Sequence, residues 1–259
     1  VYAASASKWY AAAAVLALVD EGKLSLEDEA GRYLTKFSAE QARATVGQML
    51  SHTAGITGGE SCIGTKALTL GECVDLMAGQ AVRFGPGSGL AYGAASINAA
   101  GRIAEIVAEK SWDAVFEEKV AGPLGMTCTT FGGSEAASYP TLSGGVETCA
   151  EDYGKFLEML AGRGVYRGRR VLSARAVAEM QRPRSAGLRV WETPYSQFFR
   201  QEPELQGWSY GAGEWVERRN DRQESLEVSS QGALGFSPWL DLERDLTGVL
   251  AAQDEWSAV

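Results

Sequence analysis

Near the start of the chain, ASASKWYAAAAVLALV places Ser5 and Lys8 three residues apart at the head of an apolar run. Residues at that spacing share one face of a helix, so the amine can reach the hydroxyl. A serine is a weak nucleophile until a neighbouring base takes its proton, and a lysine held partly out of water can do so as a neutral amine. Ser5 also stands at a helix start, where unpaired N–H groups favour developing negative charge. The chemistry this pattern suits is acyl transfer, with Ser5 as nucleophile and Lys8 as base. Of the seven lysines, only Lys8 has a serine three residues before it. The competing reading is structural: an N-capping serine, and a lysine that lays its stem along apolar surface.

Two other groupings could do chemistry. GWSYG at 207–211 has the G-x-S-x-G spacing of a nucleophile elbow, which needs a strand before it, a helix after it and a later histidine. Here AGEWVER follows, which reads as a strand, and no histidine follows Ser209. Gly211 and Gly213 are better explained as letting a strand pass close to its neighbours. His52, the only histidine, reads as a hydrogen-bonded scaffold group. A single histidine and four scattered cysteines, Cys62, Cys73, Cys128 and Cys149, with no C-x-x-C, predict no metal site. The cysteines read as buried thiols in preference to a Cys62–Cys73 disulfide.

These groups need elements to hold them. Residues 5–22 predict a buried helix ending at Gly22. Thr45-x-x-Gln48, Thr69-x-x-Glu72 and Thr148-x-x-Glu151 have the capping-box pattern before apolar stretches. Helical spacing covers Asn98–Lys110, Ser111–Val120, Asp152–Ala161 and Ser173–Gln181. From about residue 207, GWSYGAGEWVER, ESLEVSS, LGFSPWLDL and LTGVLAAQ read as short strands separated by turn clusters. Short strands joined by tight turns predict an antiparallel meander. The expected organisation is an α+β fold. Residues 1–206 form a mainly helical region, residues 207–259 an antiparallel sheet, and the Ser5 helix lies between them. Arg182–Gln206 reads as a surface excursion near a cleft.

Size and charge bound the rest. The 259 residues, 45% hydrophobic, suffice for a sizeable core. A net charge of −9 argues against a nucleic-acid partner. The longest apolar run, Trp9 to Val19, is shorter than the roughly 18 residues of a membrane span. The absence of an initiating Met and the abrupt ends predict a piece of a longer chain.

The order of SASK (5–8), LSHTAGI (50–56), FGPGSGLAY (84–92), PLGM (123–126), SGGVET (143–148), YGAGEW (210–215) and QGALGFSPWLD (231–241) resembles the serine β-lactamase-like superfamily. The likeness is to its class C, esterase and D,D-peptidase branch, and it runs nearly end to end. It implies a β-lactamase/transpeptidase-like fold, no cofactor, and a small ester, amide or β-lactam as substrate. The family's S-x-x-K falls on Ser5 and Lys8. Its Y-x-N falls on Tyr92-Gly93-Ala94, which implies that Tyr92 relays a proton and that the usual asparagine is absent. Its third element falls on Ser230, Gln231 and Gly232 as substrate-binding positions, with Ser230 where a cation is expected; strongly anionic substrates are disfavoured. The Ser5 and Ala233 N–H groups are the implied oxyanion donors. Simple esters are thereby favoured over β-lactams. The alternatives are a catalytically silent scaffold and acyl transfer to a non-water acceptor.

Overall fold

A helix without a polar face is stable only where every side is covered, and the segment after Ser5 meets that condition. In the computed structural model, which describes residues 1–57, 68–131, 141–195 and 207–254, a 3₁₀ turn at Ala4–Ala6 leads into helix α1 (Ser7–Asp20). Every α1 residue from Ser7 to Leu18 is buried. The chain leaves the helix through Gly22, whose φ of 70° suits a residue without Cβ. Seven further α-helices follow among the described residues: α2 (Val46–Leu50), α3 (Leu70–Met77), α4 (Ala95–Ala108), α5 (Trp112–Phe116), α6 (Gly122–Leu124), α7 (Ala150–Ala161) and α8 (Ala174–Met180). Helix α1 packs against α4, α5 and α8. Its Trp9 meets Phe156 edge-on at 5.8 Å, and Tyr10 meets Tyr153 at 4.5 Å.

Among the described residues, six strands lie in three short pairs before the main sheet. These are β1 (Gly89–Ala91), β2 (Thr130–Phe131) and β3 (Val146–Glu147), followed by β4 (Val165–Tyr166), β5 (Arg169–Arg170) and β6 (Arg189–Glu192). β2 pairs with β3 and β4 with β5 in antiparallel fashion, while β1 and β6 run parallel. The five-stranded sheet is a sequential antiparallel meander of β7 (Ser209–Tyr210), β8 (Trp215–Arg219), β9 (Ser225–Ser229), β10 (Phe236–Asp241) and β11 (Leu246–Ala251). This is the α+β arrangement read from the strand and turn pattern. No helix among the described residues is long and apolar enough to cross a membrane.

Two of the three capping boxes form as expected. Thr45 accepts from Gln48 N while Gln48 reaches back to Thr45 N, and Thr69 and Glu72 do the same. At the third position the N-cap is Cys149, with no side-chain cap. Thr148 instead meets the Thr129 hydroxyl at 2.8 Å. Cys149 is disulfide-bonded to Cys128. This corrects the expectation of buried thiols. Closing a loop of this size, with its ends 21 residues apart, stabilises a fold by roughly 3 kcal/mol. Cys73 is not a free thiol either, and Cys62, considered as its partner, lies outside the described residues. The expected helix Ser111–Val120 is also modified. Its α-helical part ends at Phe116, and Glu117–Ala121 widens into a π turn before Pro123.

Candidate active site

Ser5 lies in the 3₁₀ turn and Lys8 in the first turn of α1. The Lys8 ammonium donates to Ser5 Oγ at 3.1 Å and to the Ser143 carbonyl at 2.7 Å. It also stands over the Tyr92 ring, 4.6 Å from the centroid. Lys8 is buried and Ser5 half-buried. The three residues share the floor and wall of a cavity of about 400 Å³, with Ala94, Ser143 and Gly144 completing much of the lining. Within this lining Lys8 is the one charged side chain.

The turn holding Ser5 is tied down from several sides. Ala4 has a φ of 45°, a left-handed conformation costing on the order of 1–3 kcal/mol in a residue with a side chain. Ser7 Oγ donates to Ala4 O at 2.6 Å and accepts from Val146 N at 3.1 Å. Ala3 N donates to Val146 O at 2.8 Å, and the Tyr153 hydroxyl donates to Ala6 O at 2.9 Å. The Ser143–Val146 segment therefore holds both the lysine and the chain entering the serine. The disulfide and Asp152 anchor its far end. Asp152 accepts from Thr127 N, Cys128 N and Thr129 Oγ1 and pairs with Lys155 at 2.8 Å. Cys128, Cys149 and Asp152 are the grouping of metal-capable side chains among the described residues, and its two sulfurs are bonded to one another.

Tyr92 follows β1, and its amide donates to Glu192 O at 3.0 Å. Thus the Arg182–Gln206 stretch, read as a surface excursion, supplies through β6 a backbone partner for Tyr92; residues 196–206 lie outside the described residues. The Tyr92 ring stacks on Trp215 at 5.5 Å. On its other side is His52, 4.6 Å away, which also meets Tyr210 at 4.8 Å. Neither ring nitrogen of His52 has a hydrogen-bond partner among the described residues. The scaffold role expected of the His52 side chain therefore rests on ring packing, not on hydrogen bonds from its ring. Burial, and the Lys8 charge after it, hold its pKa well below the usual imidazole range, so it stays neutral.

The sheet meets the nucleophile segment through glycine. Gly213, in the β7–β8 turn at φ 80°, would carry a Cβ only 2.5 Å from Lys8 O. A Cβ on Gly232 would lie 2.2 Å from Ala3 O. Ser209 is buried on β7, followed by a turn and a strand, with no elbow geometry. Ser230, expected to face substrate, is buried and its hydroxyl donates to Gly213 O at 3.2 Å. Gln231 is engaged by Glu217 and Tyr195. Ser230, Gln231 and Gly232 do not line the cavity beside Ser5. Ala233 is exposed in the following turn, directly after the residue seated on Ala3. The sequence reading missed Ser143, whose contribution is a backbone carbonyl; the run Ser143-Gly144-Gly145 was its only trace.

A profile of the family described as Beta-lactamase matches residues 1–257. Penicillin-binding protein 4 of Amycolatopsis lactamdurans is 33% identical over 134 residues, 47% of this chain and 33% of that protein. The chain thus spans about a third of the length of that relative. Among solved structures, a beta-lactamase-like protein of Bacteroides dorei DSM 17855 has a TM-score of 0.86 and 30% identity, covering 99% of this chain and 78% of that one. A family VIII carboxylesterase shares the fold at a TM-score of 0.79 and 21% identity, over 98% of this chain and 78% of that one. The chain belongs to the beta-lactamase family.

Proposed function

We propose that the protein is a serine hydrolase that works through an acyl-enzyme on small neutral esters, and less readily on amides or β-lactams. The observation that carries this reading is the convergence of Ser5, Lys8 and Tyr92 on one cavity, with Lys8 Nζ 3.1 Å from Ser5 Oγ. Lys8 serves as the base that takes the Ser5 proton while Oγ bonds to the ester carbonyl carbon. The carbonyl oxygen becomes an oxyanion, which the Ser5 and Ala233 N–H groups stabilise. Tyr92 carries the proton to the departing alkoxide, the C–O bond breaks, and the acyl-enzyme remains. Water then attacks by the reverse proton path and frees the acid.

Neutral substrates are favoured because, among the described residues, no cation besides Lys8 lines the cavity. The position where relatives carry a cation holds Ser230, whose hydroxyl points to Gly213 O. Ala94 offers no amide to hold a substrate's peptide group, which an ester does not need.

The test is labelling by a fluorophosphonate probe together with turnover of p-nitrophenyl acetate. Wild type should label once and Ser5→Ala should neither label nor turn over. Labelling at another serine overturns the assignment of Ser5. A wild type with neither adduct nor turnover favours the catalytically silent scaffold. Faster release of product on adding an alcohol or amine points to transfer to a non-water acceptor.

A further inference from the structure

Glu217 sits at an irregularity in the sheet. The β8–β9 register shifts between Val216 and Arg218, so Glu217 has no cross-strand partner in the ladder. Such a bulge redirects one side chain. The Glu217 carboxylate accepts from Ser229 Oγ and, at 2.8 Å, from Gln231 Nε2. Gln231 Nε2 also donates to Ser229 Oγ at 2.7 Å, and Gln231 Oε1 accepts from the Tyr195 hydroxyl at 2.8 Å. Both ends of the Gln231 amide are thus committed, in one orientation.

The next residue, Gly232, rests its Cα on Ala3 O, and Ala233 follows. On the other side, Tyr195 packs against Trp215 at 5.3 Å, and Trp215 stacks on Tyr92. One chain of contacts therefore joins Glu217 to the turn before Ser5 and to the Tyr92 wall. Glu217 itself is absent from the lining of the Ser5 cavity.

We propose that Glu217 is a positioning residue for the acyl-transfer centre, holding Gln231 so that the turn carrying the Ala233 amide stays seated against the nucleophile segment. The inference rests on the serine-hydrolase reading above. An acceptor at residue 217 is what the geometry demands, and an amide supplies one as well as a carboxylate does. A second carboxylate at residue 231 would face the first across 2.8 Å and expel it.

The experiment measures p-nitrophenyl acetate kinetics and the fluorophosphonate labelling rate, with urea midpoints as the control for folding. Glu217→Leu should lower kcat and the labelling rate by about tenfold to a hundredfold, part of what removal of a whole oxyanion donor costs. KM should hold within about twofold, since no cavity-lining residue changes. Glu217→Gln should stay within about threefold of wild type. Gln231→Glu should fall as far as Glu217→Leu, and the swapped pair Glu217→Gln with Gln231→Glu should recover, which keeps the test alive if the leucine variant does not fold. Full activity in Gln231→Glu, or no recovery in the swapped pair, overturns the positioning role while leaving Ser5 chemistry intact. A wild type without Ser5-dependent labelling overturns the underlying reading.

Discussion

Two stretches reach toward the same serine under different rules: the 3₁₀ turn running into α1, and residues 229–233, where β9 ends and the chain turns toward β10. In the helical stretch, residues three apart share one face, so Ser5 and Lys8 meet at 3.1 Å. At the end of β9, direction is decided by neighbours. Ser230 turns to the Gly213 carbonyl and Gln231 to Glu217, although both occupy positions expected to face substrate. A helical spacing thus specifies a contact, whereas a motif position at the end of a strand specifies only a stretch of backbone.

Breaking the helical side of this contrast should have the largest effect. Lys8→Met keeps the length and burial of the side chain and removes the base; kcat for p-nitrophenyl acetate should fall by about 10²–10⁴. A fall of less than tenfold would mean that the proton leaves Ser5 by another route.

The contact between the two regions is probed next by Gly213→Ala. The new Cβ meets Lys8 O at 2.5 Å and occupies a φ of 80°, so stability should drop by at least about 1–3 kcal/mol in urea unfolding. An unchanged midpoint would show that the hairpin does not bear on the helix.

The neighbouring Glu214 sharpens the same point through pH. Its side chain is fully buried. Burial pushes its carboxyl well above the usual range, and neither of its oxygens has a hydrogen-bond partner among the described residues. The folded state therefore holds a proton that the unfolded state releases. The stability this group contributes is present below its unfolded value, near 4.5, and is lost as pH rises through the folded value. Each tenfold difference in proton affinity corresponds to about 1.4 kcal/mol. Glu214→Gln should flatten the fall in unfolding free energy as pH rises above about 4.5, measured by urea titration. Parallel wild-type and variant profiles would refute it. His52 acts in the opposite sense. Held neutral by burial, it costs stability as pH falls below about 6.5, where the unfolded imidazole takes up a proton.

The smallest effect should come from Ser230→Ala. Losing the hydrogen bond to Gly213 O should cost about 1 kcal/mol of stability and leave the preference for uncharged esters unchanged. A marked shift in preference would show that the hydroxyl faces substrate after all.

Much of this arrangement could be read in the residues themselves. The buried helix, the two capping boxes at Thr45 and Thr69, and the meander after residue 207 follow from periodicity and turn chemistry, which are local. The Ser5–Lys8 contact is local too. What escaped the reading is set by groups distant in sequence. Cys128 meets Cys149 where β2 pairs with β3, and the helix that follows takes Cys149, not Thr148, as its N-cap. Ser143 acts through a carbonyl, which no residue type announces. Glu217 owes its orientation to a bulge, which depends on two strands at once. His52 was read as a hydrogen-bonded scaffold, but its surroundings are aromatic rings contributed by Tyr92 and Tyr210.

At Gly213 and Gly232 the sheet comes against main-chain oxygens of the nucleophile segment, Lys8 O and Ala3 O, with the alanine methyls of Ala12 and Ala4 beside them. A side chain added at either glycine would therefore push directly on the main chain that carries the nucleophile. The reactive floor thus depends on two positions in the sheet that must stay bare.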